Sequence, residues 1–394
     1  MLNNMRFREV ALAYISLFLL IFDLALPPVK FIGSAPISLF ISLSVLLISS
    51  KDNNVKAQVK TFFVPFFVLY FAFICFAVFR VLFSGEHNYL LSLSKSLLIF
   101  MAAIFYLAAF GCERINEKLI NIFFVNGVIC LVAGSIPEAL GVVYLFKNSV
   151  NEFEFIPYRN AFLAGSGYFG IASVYAVIIL LCAHKLVKDG LSLNFAIKFM
   201  VILVAGILAG RTAFVGIAIS FVYIMSQSVK YTGLGVLLVA TLVAIVLSID
   251  TLSVYSGWMF EFISFDGHSV TLSRTSSTDQ LGQMYFMPTN DITWLWGDGR
   301  YVDGDAYYMH TDAGYMRNLF FGGLPFVIAV IVYACLFAFK SKSFFFAFFI
   351  LPLVFALHYK GVFILNNPAG VPILTLLAFG FYHEKINKKF NYAC

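Results

Sequence analysis

The chain has 394 residues, 61% of them hydrophobic and only 12% charged, and its 26 Lys and Arg against 20 Asp and Glu leave a formal charge of +6. A soluble domain of this length carries roughly twice that share of charge, so composition excludes an ordinary globular enzyme and points to a membrane protein. No Walker loop, HExxH or Gly-x-Ser-x-Gly elbow occurs, which withdraws support from ATP-driven transport and common hydrolase chemistry.

In chain order, about twelve apolar stretches approach or reach the roughly 20 residues a bilayer-crossing helix needs. They fall near 8–26, 32–50, 61–83, 93–111, 119–136, 164–184, 195–209, 212–226, 233–250, 314–339, 343–358 and 362–382. The fold class expected is therefore an all-α polytopic membrane protein forming one membrane domain over 1–394. The first stretch has no small-residue cleavage site and is followed by Pro27-Pro28, so it is expected to stay in the protein. The seventh and eighth are short and meet at Ala209-Gly-Arg-Thr-Ala213. With the N-terminus in the cytoplasm, sixteen of the 26 basic residues fall on the cytoplasmic side and ten opposite. That asymmetry agrees with the positive-inside rule and places both termini inside.

Two polar loops then lie outside the cytoplasm, a smaller one at about 137–163 and a large one at 251–313. The large loop holds all three tryptophans and eight of the twenty acidic residues, against only Arg274 and Arg300. Its acidity makes nucleic acid a poor partner. None of the six cysteines falls there, so no disulfide framework is implied, and no ligand pair has zinc spacing. Gly165-Ser-Gly-Tyr-Phe-Gly170 matches GxGxxG, but no strand precedes it; close helix packing is the expected reason for these glycines, as for Gly206 and Gly210. Asp303-Gly-Asp305 reads as an acid-rich turn or a divalent-cation pair.

The chemistry concentrates in outward-facing cations. Arg159 lies in the smaller loop, Arg211 at the tip between the two short stretches, Arg274 and Arg300 in the large loop, and Arg317 just beyond it. Arginine at membrane depth faces a polar cavity or a partner; Asp23, Asp250 or a phospholipid headgroup would serve as partner. Several arginines converging from separate loops would suit a diphosphate, because planar guanidinium groups grip phosphate oxygens with several donors each. His310, with Asp312 close by, is the candidate base, since imidazole titrates near neutrality. Trp294, Trp296, Tyr301, Tyr307 and Tyr308 could stack on sugar rings. An interfacial aromatic belt is the competing reading, preferred for Trp258.

The order of these features resembles the Wzy-type O-antigen polymerases and, more distantly, the O-antigen ligases. The matching pieces are Gly210-Arg-Thr212 between short spans, Arg274 ahead of Trp294-Leu-Trp-Gly-Asp-Gly299, His310-Thr-Asp312, Gly314-Tyr315 and Leu319-Phe-Phe-Gly-Gly-Leu-Pro325. Arg159 followed eleven positions on by Gly170 is similar to an arginine–glycine spacing of such polymerase loops; Arg274 departs from it, with Tyr285 at the matching position. The resemblance implies a GT-C-like architecture in a bacterial inner membrane. It also implies transfer of a growing glycan from undecaprenyl diphosphate to a lipid-linked repeat unit. In that scheme Arg211 and Arg274 neutralise the departing diphosphate, Arg159 assists, His310 activates the hydroxyl, and no metal or other cofactor is needed. A chain-length regulator is an expected protein partner, alongside membrane lipids. A ligase acting on lipid A-core, a lipid-linked oligosaccharide flippase and a general transporter are the alternatives.

Overall fold

The computed structural model describes residues 2–26, 33–48, 53–147, 157–165, 167–227, 233, 236, 263–266, 269–272, 276–304 and 306–391. The ninth apolar stretch (233–250), Asp250, Trp258, Arg274 and Asp305 lie outside them, apart from the isolated helical positions 233 and 236.

Helices dominate, as the hydrophobic pattern predicts. They are α1 (Leu2–Phe22), α2 (Ala35–Ile48), α3 (Asn53–Ser84), α4 (Asn88–Phe110), α5 (Ile115–Ser135), α6 (Pro137–Tyr144), the short turn α7 (Pro157–Asn160), α8 (Tyr168–Asp189), α9 (Leu193–Ala209) and α10 (Ala213–Gln227). After the polar interval come α13 (Gly314–Ser341), α14 (Leu351–Lys360) and α15 (Gly370–Asn391), with α11 (Ser276–Met284) and α12 (Asp291–Trp296) inside the interval. Among the described residues five helices are long and apolar enough to cross a membrane: Val55–Ser84, Asn88–Phe110, Ile115–Ser135, Tyr168–Asp189 and Gly314–Ser341. Shorter apolar helices accompany them. The protein is a membrane-embedded bundle of helices.

The polar interval is more ordered than a loop. Besides its two helices it carries two antiparallel hairpins, β1 (Ile263–Asp266) with β2 (Ser269–Leu272) and β3 (Val302–Asp303) with β4 (Ala306–Tyr307). A second departure concerns the stretch read as one helix over 362–382. Residues 361–369 are irregular and the last helix starts at Gly370. Asn367 explains the break: its Oδ1 accepts from the N–H groups of Ala369 and Gly370, both at 2.9 Å, which caps the new helix and satisfies donors no helical carbonyl reaches.

Small residues set the packing around α8, the most buried spanning helix. A Cβ on Gly216 would stand 2.5 Å from the Ala176 Cα, and one on Gly206 2.9 Å from Ile179 Cδ1. Those glycines let α9 and α10 lie directly on α8, the packing expected for Gly206. Serine hydroxyls do similar work between α1 and α2, where Ser16 Oγ lies 2.8 Å from Ser38 Oγ. The remaining core is largely aromatic: Phe62, Phe63, Phe66, Tyr70 and Phe100 interlock with Tyr333, Phe337 and Phe379.

A kink in α13 anchors the polar interval. Pro325 has no N–H to offer Phe321, and Gly323 leaves helical geometry with φ 71°. The Phe320 carbonyl instead accepts from the backbone N–H groups of Asp298 (2.6 Å) and Gly299 (3.2 Å). A Cβ on Gly297 would fall 2.6 Å from the Gly322 nitrogen, so glycine is what allows the two backbones to touch. The Arg80 Nη2 donates to the Gly297 carbonyl at 2.8 Å and ties α3 to the same junction.

Candidate functional site

At the end of the bundle where the polar interval sits, a cavity of about 800 Å³ opens between the helices. Five basic residues line it (Lys95, Arg159, Arg211, Arg317 and Lys360) against two acids, Asp23 and Asp312, an excess of three positive charges. Each comes from a different element, and each is held in place by recognisable local chemistry.

Arg211 occupies the tip between α9 and α10. The Gly210 and Arg211 carbonyls accept from Ala213 N and Phe214 N, which starts α10 without a longer loop. Arg159 belongs to the turn α7. Its neighbour Tyr158 packs where a side chain on Gly134 would stand, and the Tyr158 hydroxyl lies 3.0 Å from Ser135 Oγ. The Arg159 guanidinium lies over the Tyr168 ring at 4.1 Å, and the Tyr168 hydroxyl donates to Asn160 Oδ1 at 2.7 Å. Arg317, in the first turn of α13, is set between two rings, 3.7 Å from the Tyr301 centroid and 4.1 Å from that of Tyr307. Such contacts orient a guanidinium without neutralising it.

Lys360 ends α14, and buried His358 shapes the turn after it. Its Nδ1 accepts from the N–H groups of Phe363 (3.1 Å) and Ile364 (3.4 Å). The ring's Nε2 lies 2.9 Å from Asn318 Nδ2. Asn318 and Arg317 are neighbours, so one short stretch of α13 both supplies a cavity cation and braces the segment that carries another.

The two acids differ. Asp23 is 2% exposed and locked: its Oδ2 is 2.9 Å from Lys95 Nζ and its Oδ1 accepts from Ala35 N at 3.2 Å. Its φ of 40° breaks α1, and Gly165 must lack a side chain because a Cβ there would reach the Asp23 carbonyl. Asp312 opens onto the cavity. Protein around it strips enough water to raise its carboxyl above the usual carboxylate range, against the opposing pull of Arg317 and Lys360.

Of the residues singled out in the sequence, Arg159, Arg211, Arg317, Asp312, Tyr301 and Tyr307 line this cavity. Arg300, His310, Trp294, Trp296 and Tyr308 do not. His310 is exposed, in a turn where both it and Met309 adopt φ 55°. Arg300 borders a separate depression beside Glu86 and His87, and lies 5.8 Å from the Tyr308 ring. The Tyr308 hydroxyl donates to Asp298 Oδ2 at 3.2 Å, and Trp294 Nε1 donates to the Pro288 carbonyl at 3.1 Å. These two side chains support the polar interval. Lys95 and Lys360 were missed: both stand on the outward side in the sequence, but as single charges at the ends of apolar stretches they read as topology signals. Asn366 and Asn367 line the cavity too, from the irregular segment that the hydrophobic pattern smoothed into a helix.

Among the described residues, no group of three or more His, Cys, Asp or Glu is arranged to hold a metal ion. Comparison of the chain with protein-family models, curated proteins and solved structures returns no match, so the site is read from its own chemistry.

Proposed function

We propose that this cavity binds the diphosphate of a polyprenyl-linked glycan and that the protein is a membrane glycosyltransferase. Specifically, we read it as an O-antigen polymerase of the Wzy type, with about twelve spans in a GT-C-like arrangement in a bacterial inner membrane and the cavity facing the periplasm. The observation that carries the reading is the convergence of five cations from separate elements around one open carboxylate. Three excess positive charges outnumber the negative charges of a doubly charged diphosphate diester and suit the further charge that appears as it leaves, and a cavity of about 800 Å³ has room for sugars beside it. Outside the cytoplasm no nucleotide sugar or ATP drives bond formation, so an activated glycan must arrive on its lipid carrier.

In the proposed reaction the terminal hydroxyl oxygen of a lipid-linked repeat unit attacks the anomeric carbon of the growing chain. The bond from that carbon to the diphosphate oxygen breaks, and undecaprenyl diphosphate departs with the electron pair. Arg159, Arg211 and Lys360 take up the charge that grows on the leaving group, where one well-placed donor contributes about 3–4 kcal/mol. Asp312, which lines the cavity where His310 does not, accepts the proton of the attacking hydroxyl. A raised carboxyl pKa suits that task because it brings the base nearer working pH. Tyr301 and Tyr307 hold Arg317 between them, and exposed Tyr307 offers ring area to the sugars.

The test is incubation of the purified, reconstituted protein with a defined undecaprenyl-diphosphate repeat unit, read by gel for a ladder with and without chelator. The expected result is a chelator-insensitive ladder that Arg211→Ala slows by about 100-fold or more. A ligase would make no ladder and would instead transfer glycan to added lipid A-core. A full ladder from Arg211→Ala would remove the cavity from the reaction.

A further inference from the structure

The helix α13 records where the hydrocarbon begins. No residue from Gly314 to Gly323 is exposed, because protein packs around this stretch except where Arg317 lines the cavity. From the kink onward Leu324, Ile328, Val332 and Phe339 are exposed along one stripe. Leu324 to Ser341 rises about 27 Å at about 1.5 Å per residue, close to the roughly 30 Å of a bilayer core. The apolar boundary on the cavity side therefore falls at the kink. Arg317 lies two turns earlier, about 10 Å beyond that boundary and at headgroup depth.

The segment Met287 to Trp296 sits at this boundary and, beside the exposed polar Thr289, Asn290 and Asp291, exposes four large apolar side chains. Met287 is 78% exposed, Ile292 64%, Leu295 61% and Trp296 56%. Within α12, Ile292, Leu295 and Trp296 recur at the three- and four-residue spacing that puts them on one face. Thr293 is buried against the protein, and its hydroxyl donates to Asp298 Oδ1 at 2.6 Å. Gly297 and Gly323 seat α12 directly on the kink, since a Cβ on Gly323 would fall 2.6 Å from the Leu295 carbonyl. On α3, which reaches the same junction through Arg80, Phe79 and Phe83 are exposed as well. The apolar face of α12 thus continues the lipid-facing surface of two spanning helices.

We propose that Met287, Ile292, Leu295 and Trp296 are inserted into the leaflet on the cavity side, making α12 an interfacial anchor whose partner is bilayer lipid. Clamped to α13 through Gly297, the anchor holds the stretch from Asp298 to Asp312 at a fixed height above the hydrocarbon. That height puts the cation-lined cavity level with lipid headgroups. The inference stands on exposure and geometry and does not depend on the reaction proposed above.

Fluorescence of a full-length chain with Trp258→Phe and Trp294→Phe, reconstituted in nanodiscs, isolates Trp296. Phospholipids brominated near the headgroup end of the acyl chain should lower its emission at least about twofold, more than lipids brominated near the methyl end, while aqueous iodide leaves it nearly unchanged. Quenching by iodide and not by brominated lipid would place the face in water and overturn the proposal. Protection from both quenchers would mean that protein, such as a second copy of the chain, covers it, which overturns it equally. If the doubly substituted chain does not fold, the emission difference between the unmodified protein and Trp296→Phe reports the same quantity.

Discussion

The Arg317 guanidinium carbon lies 3.7 Å from the centre of the Tyr301 ring, and the Tyr301 backbone N–H is held in turn by the Glu86 carboxylate. A cavity cation is thus aimed by an aromatic face that the connection between α3 and α4 fixes in place. Such a contact is worth about 0.5–2 kcal/mol. Tyr301→Leu should therefore weaken binding of polyprenyl diphosphate roughly 2- to 30-fold, measured by titration of the reconstituted protein. Tyr301→Phe keeps the ring and should stay near the unmodified affinity.

Asp312 sets a pH dependence with a definite sign. In the proposed reaction it works ionised, as a base, and desolvation raises its pKa. Activity should accordingly be lost as pH falls through a value above the ordinary carboxylate pKa of about 3.9. A bound diphosphate adds negative charge and moves that limb further the same way. Asp312→Asn should abolish both the limb and most of the rate, whereas His310→Ala should leave both largely intact. A pH–rate profile of the three proteins checks this.

The Asp23–Lys95 pair is structural as well as electrostatic, because Asp23 also receives the first N–H of α2. Asp23→Ala removes one partner of an ion pair whose acid is 2% exposed and should cost about 3 kcal/mol. Joint replacement by Asp23→Asn and Lys95→Met should cost less than Asp23→Ala alone. Thermal unfolding in a fixed detergent compares the two.

Backbone contact at the kink leaves no room for a methyl group. Gly297 has φ 69°, and a Cβ there would fall 2.6 Å from the Gly322 nitrogen. Gly297→Ala should destabilise the protein by about 2–4 kcal/mol, seen as a lowered melting temperature. Gly304, also at positive φ but with open space around it, should tolerate alanine at the smaller cost of backbone strain alone.

Arg300 supplies a contrast within one residue type. It borders a different depression from the one Arg211 lines. Arg300→Ala should leave glycan synthesis within about twofold of the unmodified protein, while Arg211→Ala lowers it by about 100-fold. Quantified ladders from equal amounts of membrane protein make the comparison.

Hydropathy along the chain was enough to locate most helices: the stretch read at 93–111 is Asn88–Phe110, that at 195–209 is Leu193–Ala209, and that at 314–339 is Gly314–Ser341. Burying backbone polar groups in hydrocarbon forces helix formation wherever a run is apolar enough, so a one-dimensional pattern carries that information. The same pattern placed Arg211 at a tight turn between two short helices. It could not say which way a helix is rotated or which distant ends meet. Lys95 and Lys360 join Arg159, Arg211 and Arg317 through contacts between elements far apart in the chain, His310 lies outside the residues that line the cavity, and Trp296 is exposed. Segments of this kind are legible from local composition; the identity of a site assembled from separate elements depends on long-range packing, which no stretch of sequence specifies alone.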